Sequence, residues 1–142
     1  KKECIYYSIY PSIESECDEV KIATDSKWNE LLLNQIISNA IKYSSYKKGK
    51  KNLVFKVVQE PKCTTLSIID EGVGIPPYDI DRIFEPFFTG ENGRKYSNST
   101  GIGLYICKKI SEKLGHKISI TLNGKGTIVH IKYFTAHNLT DL

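Results

Sequence analysis

The sequence predicts a single α+β domain, and three observations support this prediction. Its 142 residues, 40% of them apolar, are enough for one hydrophobic core and too few for two. Two long segments repeat apolar residues at the three- and four-residue spacing of a helix. Several shorter segments are typical of strands and lie before, between and after those helices. One domain therefore has to combine both kinds of element.

The first third of the chain predicts two short strands and a long helix. The strands are expected at Lys2–Tyr10 and Glu19–Ala23, before Thr24-Asp25-Ser26, whose side-chain oxygens can cap a following helix. The helix is expected from Lys27 to about Ser45. Its predicted buried stripe consists of Trp28, Leu32, Ile36, Ala40 and Tyr43.

The middle of the chain predicts two strands and then a break in regular structure. The strands are expected near Asn52–Gln59 and Thr64–Ile69, joined by a turn at Pro61-Lys62. A short helix is expected over Pro76–Phe84. Residues 87–100 are polar, contain glycine and show no period, so we expect a mobile loop there.

The last third predicts a second helix and a hairpin. Helical spacing resumes over Ile102–Leu114 and stops at Gly115. The hairpin is expected to pair Lys117–Leu122 with Thr127–Phe134 around the turn 123–126, and residues 135–142 are expected to fray.

Charge and composition disfavour several classes of protein. The net charge is only +4, and the Lys47-Lys48 and Lys50-Lys51 pairs fit a solvated turn better than a nucleic-acid surface. The longest apolar runs, such as Leu66–Ile69, fall far short of the roughly 20 residues that cross a bilayer. The four cysteines lack metal-ligand spacing and no export signal is visible, so reduced thiols in a cytosolic domain are expected. Because the chain contains no methionine, we expect it to be a piece of a longer polypeptide.

The long helix carries three polar side chains on one face. Gln35, Asn39 and Lys42 are four and three residues apart, which places them together on a helix. Amide oxygens can ligate magnesium, and a nearby lysine can neutralise phosphate charge. The alternative is that Asn39 is simply a polar residue near a helix end.

A carboxylate ends one predicted strand. Asp70 comes directly before a turn with Gly72 and Gly74, which permit a sharp bend and close approach of a ligand to the backbone. Such a carboxylate can accept a hydrogen bond from an exocyclic amine like that of adenine. The alternative is an ordinary turn between a strand and a helix.

Two glycines open the second helix. Helix N-termini present unpaired N–H groups that attract phosphate, so Gly101 and Gly103 predict a phosphate-binding helix start. P-loop and Rossmann glycine patterns are absent from the sequence. Before this helix, Phe84, Phe87 and Phe88 are either core aromatics or the hydrophobic base of a lid.

The four segments, in this order, resemble the N, G1, F and G2 boxes of bacterial two-component sensor histidine kinases. They are 39–43, 70–74, 84–88 and 101–104, and the resemblance spans about Asp25 to Thr127. It implies the catalytic ATP-binding domain of these kinases, a member of the Bergerat-fold superfamily that also contains gyrase B and certain chaperones. The implied fold is a two-layer α/β sandwich, with a mixed, mainly antiparallel sheet packed on three helices and a mobile ATP lid at about 87–100.

The resemblance also implies the role of each matching residue. Asn39 and Gln35 would ligate magnesium, Lys42 would contact phosphate, Tyr43 would lie against adenine and Asp70 would bond its amino group. The other nucleotide-binding residues implied are Gly72, Gly74, Ile75, Phe84, Gly101, Ile102, Gly103, Leu104 and Thr127.

Position 35 departs from the family pattern. Many members have a second Asn there, and superfamily members that hydrolyse ATP have a Glu that activates water, whereas this chain has Gln35. Phosphoryl transfer is therefore favoured over an ATP-hydrolysing clamp of the gyrase or chaperone type. A degenerate docking domain is a third hypothesis, and the intact motifs count against it.

The resemblance implies partners outside this chain. The family phosphorylates a histidine on a separate dimerisation domain and passes the phosphoryl group to a response regulator. His116, His130 and His137 lack that helical context and are expected to be structural or solvated.

We expect this domain to be soluble, monomeric and cytoplasmic, within a membrane-bound homodimer. Residues 89–94 and 99–105 are similar to kinases that respond to peptide antibiotics. Arg82 and Arg94 are candidate phosphate or acceptor contacts.

Overall fold

The computed structural model describes residues 8–16, 19–86, 88 and 103–134. The predicted lid apart from Phe88, the residues Gly101 and Ile102, and the predicted tail lie outside these ranges. In chain order the elements are β1 (Ile9–Ser15), α1 (Ser26–Ser45), β2 (Lys51–Gln59), β3 (Cys63–Asp70), a 3₁₀ helix (Pro77–Arg82), α2 (Gly103–Leu114), β4 (Lys117–Leu122) and β5 (Thr127–Phe134).

The strands form one five-stranded sheet in the order β1-β2-β3-β5-β4. The pair β1 and β2 is parallel and the other three pairs are antiparallel. This confirms the predicted mixed, mainly antiparallel sheet. The helices α1 and α2 supply buried residues to the same core as the sheet, as expected for two layers.

The core lies between the helices and one face of the sheet. Period-two alternation places Val129, Ile131 and Tyr133 of β5 on the buried face, and the residues between them on the other face. From the helix layer, Leu32, Ile36 and Ala40 of α1 join Cys107 and Ile110 of α2 in this core. Full burial of such side chains contributes about 1.5–3 kcal/mol each, which makes this layer contact the main source of stability.

The long helix begins and ends where the sequence predicted. Asp25 caps α1, accepting hydrogen bonds from Lys27 N (3.1 Å) and Trp28 N (3.2 Å). The predicted stripe is wrong at its first position, because Trp28 is 43% exposed and Asn29 is buried instead. Asn29 can be buried because the hydroxyl of Tyr133 donates a hydrogen bond to Asn29 Oδ1 at 2.8 Å, which gives the buried amide a partner.

The N-terminal strand predictions are wrong after Tyr10. Residues 2–7 of the predicted strand Lys2–Tyr10 lie outside the described residues, Ile9 and Tyr10 begin a strand that continues to Ser15, and Glu19–Ala23 forms no strand. The physical reason is that β1 is an edge strand in which only Ile9 is buried. It therefore carries almost no hydrophobic alternation, and an edge position tolerates its Pro11.

The other helices and strands predicted within the described residues are confirmed with small shifts. The predicted short helix is the 3₁₀ helix Pro77–Arg82, and both hairpin strands have the predicted bounds. The helix α2 stops at Gly115, whose φ is +77°, and the following N–H of His116 bonds Ser111 O at 2.8 Å. In the hairpin turn, Asn123 Oδ1 accepts from the N–H groups of Lys125 and Gly126.

Candidate functional site

A narrow cleft lies between the C-terminal half of α1, the end of β3 and the start of α2. The cleft is small, with a volume of about 30 Å³. The lining residues are Ile36, Asn39, Ala40, Tyr43, Asp70, Gly74, Ile75, Leu104, Ile120, Thr127 and Val129. The cleft is thus apolar, with a few polar groups converging on it, as is usual for small-molecule sites.

Asp70 is the buried charged group of this cleft. It is only 4% exposed, and its Oδ1 accepts hydrogen bonds from Gly72 N (2.9 Å) and Thr127 N (3.3 Å). Burial raises the pKa of Asp70 to about 6, against the lowering effect of those two bonds and of the Lys47 charge. Above that pH the carboxylate is ionised, and Oδ2 can accept from an amine in the cleft.

Gly126 lets the hairpin turn approach Asp70. A Cβ at this position would lie 2.2 Å from Asp70 O and 2.9 Å from Asp70 Oδ1, so only glycine fits. This close approach brings the N–H of Thr127 within reach of Asp70. The sequence analysis did not identify Gly126 as a site residue.

Gly72 fits against the end of α1 in the same way. A Cβ there would lie 2.8 Å from the carbonyl carbon and oxygen of Tyr43. The next residue bonds the same carbonyl, with Val73 N donating to Tyr43 O at 3.3 Å. The turn after β3 is therefore attached directly to the helix that carries Asn39.

The two amide side chains predicted to hold a metal lie beside the start of α2. A Cβ on Gly103 would lie 3.4 Å from Gln35 Oε1 and 3.7 and 4.0 Å from Asn39 Nδ2 and Oδ1. The two amides and the helix start are thus neighbours. Hard amide oxygens suit Mg²⁺, which usually keeps water and phosphate as further ligands, so these residues fit that ion.

The structure brings most of the predicted site residues together. Seven of them line the cleft: Asn39, Tyr43, Asp70, Gly74, Ile75, Leu104 and Thr127. Gln35, Gly72 and Gly103 adjoin it through the contacts described above. Lys42 is near its edge, with Nζ 5.7 Å from the centre of the Tyr43 ring. Gly101 and Ile102 lie outside the described residues.

Phe84 is placed differently from the other predicted site residues. It is half-buried against the hydrophobic core and does not line the cleft, while Lys108 Nζ of α2 lies 5.2 Å from its ring centre. Arg82 is nearby, over the ring of Phe88 at 4.6 Å and paired with Glu85 at 3.3 Å on an exposed surface.

The sequence analysis missed the apolar floor of the cleft. Ile36 and Ala40 were assigned only to the helix stripe, and Ile120 and Val129 only to the hairpin, yet all four line the cleft. No local signal separates such residues from ordinary core residues. The placement of Gly126 had a weak signal, because this turn glycine directly precedes Thr127.

The two described histidines have structural hydrogen bonds. His116 is buried, and its Nε2 lies 2.7 Å from Thr24 Oγ1. His130 lies on the sheet face away from the helices, with its ring nitrogens 2.8 Å from Ser67 Oγ and 2.9 Å from Thr121 Oγ1. The expectation of structural roles agrees with these contacts, and His137 lies outside the described residues.

Two further sequence expectations concern thiols and membranes. Cys63 and Cys107 are free and buried, and Cys4 and Cys17 lie outside the described residues. Within the described part of the chain, no helix combines the length and apolar character needed to cross a bilayer.

Sequence comparison relates the chain to signalling kinases. The family model described as "Histidine kinase-, DNA gyrase B-, and HSP90-like ATPase" matches residues 24–137. The chain is 42% identical over 136 residues to the sensor histidine kinase YxdK of Bacillus subtilis, covering 95% of this chain and 41% of YxdK. It is 36% identical to the sensor protein kinase GraS of Staphylococcus aureus, covering 78% of this chain and 31% of GraS.

Structural comparison gives the same fold. The catalytic domain of the histidine kinase ThkA superposes with a TM-score of 0.80 at 21% identity, covering 94% of this chain and 85% of that domain. ThkA in complex with the response regulator protein TrrA superposes with a TM-score of 0.75 at 21% identity, covering 94% of this chain and 36% of ThkA.

Proposed function

The chain belongs to the family of histidine kinase-, DNA gyrase B- and HSP90-like ATPases, and on that premise we propose that it is the ATP-binding catalytic domain of a sensor histidine kinase. It spans about two-fifths of YxdK and a third of GraS, so it corresponds to one part of such kinases. The proposed reaction is transfer of the ATP γ-phosphoryl group to a histidine on a separate dimerisation domain.

The observation that carries this proposal is the environment of Asp70. A buried carboxylate with both described hydrogen bonds on Oδ1 leaves Oδ2 for the amino group of adenine. The same cleft reaches Asn39, so one molecule can contact Asp70 with its base and the start of α2 with its phosphates. The other predicted roles follow from this pose, with Tyr43, Gly74, Ile75, Leu104 and Thr127 around the base.

Asn39 and Gln35 are proposed to hold Mg²⁺ together with the ATP phosphates. When bound, the ion supplies positive charge that offsets the charge on the phosphates. Lys42 follows Asn39 by three residues and is proposed to contact phosphate as well.

The domain's contribution to transfer is positioning. In the reaction, the bond between the γ-phosphorus and the leaving oxygen of ADP breaks as a bond to the acceptor nitrogen forms. His116 and His130 are engaged in structural hydrogen bonds away from the cleft, which supports an acceptor on another domain. Phe84, Arg82 and Arg94 stay predictions as nucleotide or acceptor contacts.

An ATP-hydrolysing clamp of the gyrase or chaperone type is the less favoured function. The side chain beside Asn39 and Gly103 is the amide of Gln35, which cannot act as a general base toward water. The phosphotransfer proposal is therefore better supported by this chain's own residues.

The proposed partners follow from the same assignment. They are the histidine-bearing dimerisation domain of the same protein and a response regulator, and the ThkA–TrrA complex is one example of a kinase with its regulator. The intact protein is proposed to be a membrane-bound homodimer with this domain in the cytoplasm. Residues 89–94 and 99–105 are similar to kinases that respond to peptide antibiotics, which supports peptide antibiotics as the stimulus of the intact protein.

The direct test supplies the missing acceptor. The chain is mixed with ATP, Mg²⁺ and the dimerisation domain of YxdK, and acid-labile phosphate is measured on that domain. We expect labelling that requires Mg²⁺ and disappears when the acceptor histidine is replaced by Gln. Brisk steady-state hydrolysis by the chain alone, without labelling, would favour the clamp.

A second test addresses position 35. We expect Gln35→Glu to raise ATP hydrolysis at least about tenfold, because a carboxylate base contributes on the order of 10²–10⁴-fold when well placed. Gln35→Asn keeps an amide oxygen and serves as the matched control, with hydrolysis unchanged and ATP binding retained. If both variants hydrolyse ATP at the same rate as the parent chain, Gln35 does not occupy the position of the base.

A further inference from the structure

A second, wider cleft lies on the other side of the turn that follows β3. It has a volume of about 360 Å³, at the lower end of the range for small-molecule sites. It is bounded by the 72–76 turn, the hairpin turn and the end of α1, and it shares Gly74 and Ile75 with the Asp70 cleft. The two clefts are therefore separated by little more than the backbone of that turn.

The charged residues that line this second cleft are basic. Among the described residues that line it, Lys47 and Lys125 are charged and none is acidic. The Lys47 ammonium group extends from the end of α1 to the hairpin turn, with Nζ 3.4 Å from Lys125 O. Both lysines therefore line the same opening.

The rest of the lining decides what kind of anion fits. Val73, Pro76 and Leu122 supply an apolar wall. The nearby N–H groups of Lys125 and Gly126 already donate to Asn123 Oδ1, at 3.0 and 2.7 Å. Binding would therefore depend on the two lysines and the apolar wall, which suits an organic molecule carrying a phosphate or another dianion.

We propose that this second cleft is a binding site for small phosphorylated organic molecules. The proposal stands on the cleft and its two lysines alone and does not depend on the proposed function.

Binding is tested with phenyl phosphate as the probe, followed through backbone amide NMR shifts of the 142-residue chain. We expect saturable shifts at Gly124 and Lys125 that persist in Asp70→Asn. Inorganic phosphate and phenol test the anion and the ring separately, and each should bind more weakly. Shifts confined to Gly103 and Leu104, or none that saturate, would overturn the site.

Variants test the role of the two lysines. We expect Lys47→Gln and Lys125→Gln each to weaken phenyl phosphate binding about three- to fivefold, as for partly exposed charge pairs. Lys48→Gln is the matched control, because this exposed neighbour does not line the cleft. Equal weakening by all three variants would mean that only net charge matters, and would overturn the proposal.

Discussion

At the scale of single residues, the burial of Asp70 lowers the stability of the domain at neutral pH. Its carboxylate is buried beside the cleft, and burial raises its pKa to about 6 from the ordinary 3.8. The folded chain therefore holds this proton to higher pH than the unfolded chain does. As a result, the free energy of unfolding falls as the pH rises from about 3.8 to about 6, and the loss persists above that range.

Replacing this carboxylate by an amide should separate stability from binding. Asp70→Asn keeps an oxygen that can accept from Gly72 N and Thr127 N but removes the buried charge. We expect the free energy of unfolding to rise by about 2–3 kcal/mol at pH 8 and hardly at pH 3.5. ATP affinity should fall at least about tenfold, since an amide can present its N–H₂ group to the adenine amine.

Denaturant unfolding at the two pH values and calorimetric titration with ATP measure these effects. Asp81→Asn is the control, because Asp81 is exposed and does not line the cleft. Unchanged ATP affinity in Asp70→Asn would remove the assignment of Asp70 to the base.

Two buried serines provide a matched pair for hydrogen-bond energetics. Ser44 and Ser111 are both fully buried, but Ser44 Oγ has no hydrogen-bond partner among the described residues, whereas Ser111 Oγ donates to Cys107 O at 2.8 Å. We expect Ser44→Ala to raise the free energy of unfolding by about 1 kcal/mol and Ser111→Ala to lower it by a similar amount. Thermal and denaturant unfolding of both variants test this prediction. If the free energy of unfolding changes in the same direction in both variants, the prediction is contradicted.

At the scale of elements, the hairpin turn between β4 and β5 connects fold and site. Asn123 and the positive φ of Gly124 (+79°) fix its shape, and Gly126 brings it against the end of β3. The first N–H of β5 then bonds Asp70. A turn that looks like an ordinary connection therefore positions the carboxylate.

Adding one methyl group to this turn should disrupt the site. In Gly126→Ala the new Cβ would meet the Asp70 backbone, so the turn has to move away. We expect the free energy of unfolding to fall by about 2 kcal/mol or more, as for strain against a packed backbone, and ATP binding to be lost.

Gly124→Asn is the control within the same turn. A Cβ at Gly124 meets nothing within 4 Å, and Asn tolerates a positive φ better than other side chains. This variant should keep ATP affinity within about twofold of the parent chain, which corresponds to less than about 0.5 kcal/mol. Equal damage by the two variants would show that the turn is sensitive to any substitution rather than to the contact at Gly126.

At the scale of the whole molecule, a buried polar cluster joins three elements far apart in the sequence. His116 follows α2, bonds Thr24 before α1 and packs edge-on against Tyr133 of β5, with ring centres 4.6 Å apart. Tyr133 continues the connection to Asn29 of α1. Burial lowers the pKa of His116 below its ordinary 6.5, so the folded domain favours neutral imidazole.

This cluster should make stability depend on pH in the direction opposite to Asp70. Because the pKa of His116 is lowered on folding, its contribution is complete above pH 6.5 and is lost as the pH falls through the folded value. We expect His116→Gln to destabilise the domain by about 1–2 kcal/mol at pH 8, with the difference from the parent chain shrinking below pH 6.5. Unfolding curves across this range test the prediction, and parallel pH profiles would contradict it.

The sequence by itself determined the family, the long helix, the central strands and most of the residues around the cleft. These features are encoded locally: a capped amphipathic helix, apolar strands bounded by turn residues, and glycine–carboxylate motifs in a fixed order. The prediction of a kinase-type domain is confirmed at the level of the family. The roles of Asn39, Gln35 and the other site residues stay predictions for the experiments above.

Only the tertiary structure decided which residues meet. The continuation of edge strand β1 to Ser15 was missed because an edge position needs no hydrophobic pattern. The burial of Asn29 in place of Trp28 was missed because the partner of Asn29, Tyr133, is 104 residues away in the sequence. The close approach of Gly126, the apolar floor of the cleft and the effect of Lys47 on Asp70 likewise depend on contacts between distant segments. Local sequence fixes the preferences of a segment, whereas burial, hydrogen-bond partners and pKa are set by what the fold packs against it.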